Sequence, residues 1–125
     1  MKKILIVDDD ETMRDVMNTV LERSFEIQEA GSREEGLAAA RSFLPDLILL
    51  DVMMETDMAG FEMSREIKND PKTAHIKILM ITSIDSTTGI DFKSAAGDPA
   101  WLPVDGYVNK PILPGNLLSQ VEKLL

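Results

Sequence analysis

The sequence predicts a doubly wound α/β domain, with five parallel strands alternating with helices in the order 2-1-3-4-5. Short β-branched and leucine-rich runs, such as Lys3 to Val7 and Leu47 to Leu50, have the composition of strands buried on both faces. Between them lie segments whose apolar residues recur at three- and four-residue spacing, the mark of helices that cover a sheet. The apolar strand runs end in polar residues, which such folds collect on one rim.

Taken in order, Lys3 to Val7 is strand one. In the following segment Met13, Val16, Met17, Val20 and Leu21 form one apolar stripe, with Glu11, Arg14, Asp15, Glu22 and Arg23 on the other side. Phe25 to Ala30 alternates apolar and polar residues, as an edge strand does. Ser32-Arg33-Glu34-Glu35 matches a capping box and opens helix two, which runs to about Phe43 before Pro45. Asp46 to Leu50 is strand three, ending in Asp51. Phe61 to Asn69 predicts helix three, with Phe61 and Ile67 inward and Asp70-Pro71 closing it. Ile76 to Ile81 is strand four, ending at Thr82-Ser83. From Ile84 to Asp105, Gly89, Gly97, Pro99 and Pro103 break the period, so the fourth helix is irregular or shortened, with Ile90 to Ala96 its only candidate. Gly106 to Asn109 is a short fifth strand before Lys110-Pro111. Pro114 opens a last helix with Leu117, Leu118, Val121, Leu124 and Leu125 on one face.

The 125 residues match one domain, 1–125. The apolar runs are far shorter than the roughly 20 residues that cross a bilayer. The basic and apolar start, Met1 to Val7, is cut off by Asp8-Asp9-Asp10 too early for a signal peptide. Without cysteine there is no disulfide or thiolate metal site, and the cytoplasm is the default compartment. A net charge of -9 disfavours direct binding of nucleic acid and leaves proteins as the expected partners.

The chemistry gathers at the strand ends. In a 2-1-3-4-5 sheet, strands one and three are neighbours where the order reverses, so Asp8, Asp9 and Asp51 converge in one crevice. Two unit charges about 4 Å apart at an effective dielectric near 20 repel by roughly 4 kcal/mol, so the cluster calls for a cation. All-oxygen ligands suit Mg2+, and the single histidine, His75, is remote from this rim. A phosphoryl group beside Mg2+ needs further cationic and hydroxyl partners, which Lys110 and Thr82 offer. Asp51, central in the group, is placed for in-line attack on a donor phosphoryl. Each element is weak alone: an Asp run after a strand is usually a turn with a helix N-cap, and Lys110-Pro111 is usually a solvated lysine before a turn. Their coincidence on one rim carries the reading.

Ile4-Leu5-Ile6-Val7-Asp8-Asp9-Asp10, Leu47-Ile48-Leu49-Leu50-Asp51-Val52-Met53-Met54, Gly60-Phe61-Glu62, Ile81-Thr82-Ser83 and Gly106-Tyr107-Val108-Asn109-Lys110-Pro111 together resemble the response-regulator receiver domains of two-component signalling, over nearly the whole chain. The resemblance implies a flavodoxin-like fold and a cytoplasmic phosphoprotein of a phosphorelay. In it Asp51 becomes an aspartyl phosphate at the expense of a phosphohistidine of a sensor histidine kinase or phosphotransfer protein. It further implies that Asp9, Asp51 and the backbone carbonyl of Met53 bind Mg2+, with Asp8 acting through a water. Thr82, the backbone of Ser83 and Lys110 would hold the phosphoryl oxygens, Tyr107 would turn inward on activation, and Lys110-Pro111 would be cis. The output is a changed contact with a downstream protein or an output domain, and the domain is not an enzyme beyond its own phosphorylation and dephosphorylation.

The chain departs from the family pattern in three places. Glu55 to Gly60 lacks the usual proline and is one residue longer, with Asp57 read as a solvated charge. Thr82 and Lys110 stand 28 positions apart, several more than is common, and the segment between carries Trp101, read as a plug over the core, with an exposed partner anchor as the alternative. Met53 and Ile84, two residues after Asp51 and Thr82, are apolar and are expected to limit a hydrolysing water and lengthen the phosphorylated lifetime. Two rivals share parts of the pattern. A phosphatase of the haloacid dehalogenase type needs a second Asp where Met53 stands. A flavin carrier could use Ser86-Thr87-Thr88-Gly89, but that stretch follows strand four rather than strand one. The sequence leaves the cognate kinase, the target and the oligomeric state open. It also leaves open a stand-alone receiver against part of a longer regulator or hybrid kinase: the end at Leu124-Leu125, with no linker or DNA-binding helices, favours the first only for a complete gene product.

Overall fold

Side chains alternate across a strand, and here that alternation divides the apolar residues into two cores. The computed structural model describes residues 1–51, 59–82, 104–109 and 113–125, with 59–61, 82, 107 and 109 described by their backbone alone. The elements are β1 (Lys3–Val7), α1 (Glu11–Leu21), β2 (Glu26–Ala30), α2 (Arg33–Phe43), β3 (Leu47–Asp51), α3 (Ala59–Asn69), β4 (Lys77–Thr82), β5 (Gly106–Asn109) and α4 (Pro114–Leu124). The strands form one parallel sheet in the order β2-β1-β3-β4-β5. Ile48 and Leu50 of the central strand face Met63 and Ile67 of α3, while Leu47 and Leu49 face Met17 and Leu21 of α1 and Leu117 of α4. Each such aliphatic side chain contributes about 1.5–3 kcal/mol when fully buried.

The boundaries shift slightly from those expected. β2 begins at Glu26 and β4 at Lys77, one residue later than their apolar runs, and α3 begins at Ala59, two residues before Phe61. Met63, outside the expected stripe, is fully buried beside Ile67. In α1 Val16 is 41% exposed. The buried stripe is centred on Met17 and Leu21, which swings Val16 to its far edge and brings Arg14 and Asn18 to half-burial on the near one. Leu125 lies past the end of α4 and is exposed. α2 ends at Leu44, whose φ of 49° is left-handed, before Pro45 is reached. The capping box is displaced by one residue. Ser32 Oγ accepts from Glu35 N–H, but Glu35 Oε2 reaches Gly31 N–H at 2.9 Å rather than the cap residue. The expected helix over 90–96 lies outside the described residues, as do the segments holding Asp57 and Trp101.

At the amino rim, side chains hold the strands in register. Asp46 Oδ2 accepts from Lys3 N–H at 2.8 Å, and Asp105 Oδ2 accepts from Ile78 N–H at 2.9 Å and pairs with Lys68 Nζ at 3.1 Å. Asp70 links α3 to α2, accepting from Lys72 N–H at 3.0 Å and from Arg41 Nε at 3.3 Å. The Lys72 N–H holds its carboxyl below the ordinary value of 3.8, partial desolvation opposes this, and Arg41 adds to it. A carboxyl depressed on folding stabilises the protein above its unfolded value and loses that contribution as pH falls through the folded one. Asp70→Asn is therefore expected to lower the urea midpoint at about pH 7, and the gap should narrow as pH falls below 3.8 and through the folded value.

Gly36 sits where α2 crosses β1 and α3: a Cβ there would lie 2.7 Å from Met63 Cε and 3.0 Å from Val7 Cγ1. Overpacking of about 1–3 kcal/mol outweighs the helix propensity gain of roughly 1 kcal/mol. Gly36→Ala should lose about 1 kcal/mol in equilibrium unfolding, and a gain in stability would refute this packing.

Candidate metal centre at the carboxyl rim of the sheet

The parallel register of β1 and β3 builds the site. Val7 lies opposite Leu50, so the next residues, Asp8 and Asp51, leave neighbouring strands side by side. Asp8 and Asp51 are buried, with 1% and 4% exposure, and Asp9 is exposed. One carboxylate oxygen from each of the three lies within 4.8 Å of the other two. The strand ends expected to converge therefore do so for these three residues.

The loop after β1 is tightly held. Asp8 N–H donates to Ala30 O at 3.1 Å, extending the pairing with β2 past the end of β1. Asp8 Oδ1 accepts from Asp10 N–H at 2.9 Å. Asp10 turns away from the cluster and caps α1, its Oδ1 accepting from Thr12 N–H at 2.9 Å. The ordinary role of an Asp after a strand thus belongs to Asp10. Arg14, expected on the solvated side of α1, instead donates from Nη1 to the Asp8 carbonyl at 2.6 Å and from Nε to Glu29 at 3.2 Å. Asn18 donates to the second oxygen of Glu29 at 2.8 Å. No local pattern signals this link, because Glu29 lies on β2, 15 residues from Arg14.

The donor set fits a hard cation. Three carboxylates supply oxygen alone, two of them buried and the third open to solvent, which leaves room for retained water. His75 is exposed and precedes β4, so it lies at the amino ends of the strands, away from the cluster. Of the remaining expected site residues, Thr82 ends β4 opposite Asn109, and Tyr107 pairs with Met80; their backbones are described. Met53, Ser83 and Lys110 lie outside the described residues, as do Ile84 and the Lys110-Pro111 bond. The rival loop Ser86 to Gly89 also lies there. A phosphate loop after strand one would need an electropositive turn, and the turn after β1 carries Asp8 and Asp9.

A doubly wound parallel sheet with an acidic cluster at the strand-order switch defines a class of domains with a candidate cation site at the carboxyl rim. The family model of the response regulator receiver domain matches residues 4–122, and the chain belongs to that family. It is 33% identical over 125 residues to the chemotaxis protein CheY of Halobacterium salinarum, a match covering 99% of this chain and 97% of that protein. It is 34% identical over 130 residues to the DNA-binding dual master transcriptional regulator RpaA of Synechocystis sp., matching all of this chain and 49% of RpaA. The chain thus spans nearly the whole of one curated relative and about half of another. In structure it resembles chemotaxis protein CheY4 of Vibrio cholerae, with a TM-score of 0.85, 28% identity and coverage of 100% and 99% of the two chains. It also resembles a CheY-like receiver domain protein of Methanospirillum hungatei, with a TM-score of 0.79, 32% identity and coverage of 99% and 94%. These likenesses establish the flavodoxin-like α/β fold. Among the described residues no helix is long and apolar enough to cross a membrane.

Packing three carboxylates together without a cation raises the free energy of the folded state. Asp9→Asn, which removes the exposed charge, should stabilise the chain by roughly 1 kcal/mol in chelator. It should also reduce the rise in melting temperature that a divalent cation produces in the wild type. Thermal unfolding with and without cation tests both.

Proposed function

We propose that the chain is a phosphoacceptor receiver, in which Asp51 takes a phosphoryl group from a phosphohistidine and the modification changes contacts with other proteins. The observation that carries this reading is the meeting of Asp8, Asp9 and Asp51 oxygens within 4.8 Å at the carboxyl rim, in a chain of this family. Asp9, Asp51 and the Met53 carbonyl would hold Mg2+, with Asp8 acting through a water, and the ion would supply positive charge against the carboxylates and the phosphoryl oxygens.

The Asp51 carboxylate is the nucleophile. One of its oxygens attacks phosphorus in line, an O–P bond forms as the P–N bond of the donor breaks, and the imidazole leaves with the electron pair. Burial of Asp51 beside Asp8 limits water around the acceptor. β4 and β5 finish together at Thr82 and Asn109, the residues that precede Ser83 and Lys110 in the sequence. In this reading the Thr82 hydroxyl, the Ser83 N–H and the Lys110 ammonium receive the phosphoryl oxygens. Activation is a population shift between two conformations, biased by those contacts and followed by Tyr107. The partners are a sensor histidine kinase or phosphotransfer protein and a downstream protein or output domain, in the cytoplasm. The chain has no enzymatic turnover beyond its own phosphorylation and dephosphorylation, and the charge of -9 argues against direct contact with nucleic acid.

Incubation with acetyl phosphate and Mg2+ is expected to give one phosphoryl adduct by intact mass and a change in Trp101 fluorescence. Asp51→Asn should show neither, and chelation should prevent both. A wild type that forms no adduct with acetyl phosphate or beryllofluoride would overturn the proposal.

A further inference from the structure

We infer that Arg14 is a positioning residue for the acidic site, fixing the peptide between Asp8 and Asp9 so that both carboxylates meet Asp51 around one cation. The inference rests on the receiver reading and deepens it. Asp8 is tied at its N–H to Ala30 O and at its carboxylate to Asp10 N–H. Its carbonyl is taken at 2.6 Å by Arg14 Nη1. A peptide unit is planar, so holding that carbonyl sets the plane from which Asp9 departs. Asp9 is the exposed member of the cluster, the one whose direction its own surroundings constrain least.

The guanidinium is itself aligned through Glu29. Glu29 on β2 accepts from Arg14 Nε at 3.2 Å, and Asn18 on α1 steadies the other Glu29 oxygen at 2.8 Å. Gly31 leaves space for the group, since a Cβ there would lie 3.2 Å from Arg14 Nη1. A fork with separate donors is required: one arm serves the carbonyl while another serves the carboxylate, which a lysine ammonium on its flexible stem does poorly. The ion pair is partly buried, with the Arg14 and Glu29 side chains 18% and 29% exposed. Glu29 also balances the cation locally, so the link acts by direction more than by adding charge to the rim.

The test measures phosphorylation by acetyl phosphate as a function of Mg2+, together with Mg2+ binding by calorimetry in the absence of phosphodonor. In Arg14→Ala the half-saturating Mg2+ concentration should rise about tenfold, the loss typical when a group behind a metal ligand is removed, while the rate at saturating Mg2+ stays near the wild type's. Arg14→Lys should fall close to Arg14→Ala, and Glu29→Gln should give a smaller rise. Should Arg14→Ala fail to fold, the Lys and Gln variants decide the matter on the same two readouts. Half-saturation unchanged in these variants, in a wild type that binds Mg2+ and takes the phosphoryl group, overturns the positioning role alone. A wild type that does neither overturns the receiver reading and this inference together.

Discussion

The site depends on one constraint, the in-register parallel pairing of β1 with β3. Because Val7 stands opposite Leu50, the chain leaves both strands at the same height, and Asp8 and Asp51 have no room to diverge. A slip of one residue would turn every side chain of β3 to the other face and carry Asp51 away from Asp8. The apolar core forbids that slip. Leu47 and Leu49 are buried against α1 and α4, and Ile48 and Leu50 against α3, so either register error would exchange two complementary sets of side chains. Core packing thereby sets the geometry of a cluster whose own charges repel.

That arrangement also explains why the polar interactions are divided between the two rims. At the amino rim Asp46 and Asp105 are committed to backbone N–H groups and lysines, which closes the sheet and fixes where β3 and β5 start. At the carboxyl rim Asp10 alone of the first three aspartates serves as a helix cap. Asp8 and Asp9 remain in the cluster with Asp51. The capping bond of Asp10 and the bond from its N–H to Asp8 are one turn of backbone used twice: it starts α1 and it orients the buried carboxylate.

Much of this was legible in the sequence because burial on both faces leaves continuous apolar runs, and those runs end where the chemistry begins. Lys3 to Val7 and the run before Asp51 mark β1 and β3 directly, and their adjacency follows once a doubly wound order is adopted. The cluster of Asp8, Asp9 and Asp51 follows from the same step. Helix periodicity was less informative about which residues turn inward. It placed Val16 in the buried stripe and Arg14 outside it, because apolarity alone does not show that a sheet edge presents Glu29 as a partner for a cation. The displaced capping box has a related cause: a Glu side chain reaches whichever nearby N–H the loop offers, and here that is Gly31.

The same limit bears on how receiver chemistry is divided within the chain. The clustered carboxylates sit at strand ends and are recognisable by type, since only an acidic side chain offers a charged oxygen ligand to a hard cation. The groups that orient them are recognisable only in three dimensions. Asn18, Glu29 and Arg14 come from a helix, an edge strand and the same helix again, and they meet at a backbone carbonyl, an atom every residue possesses. A carbonyl leaves no trace in side-chain identity, so its partner cannot be inferred from the residue that bears it. The fit of Arg14 follows from the edge position of β2, which leaves Glu29 exposed toward α1 and lets the chain pass Gly31 without a side chain in the way. An edge strand therefore contributes to the site although none of its residues belongs to the cluster.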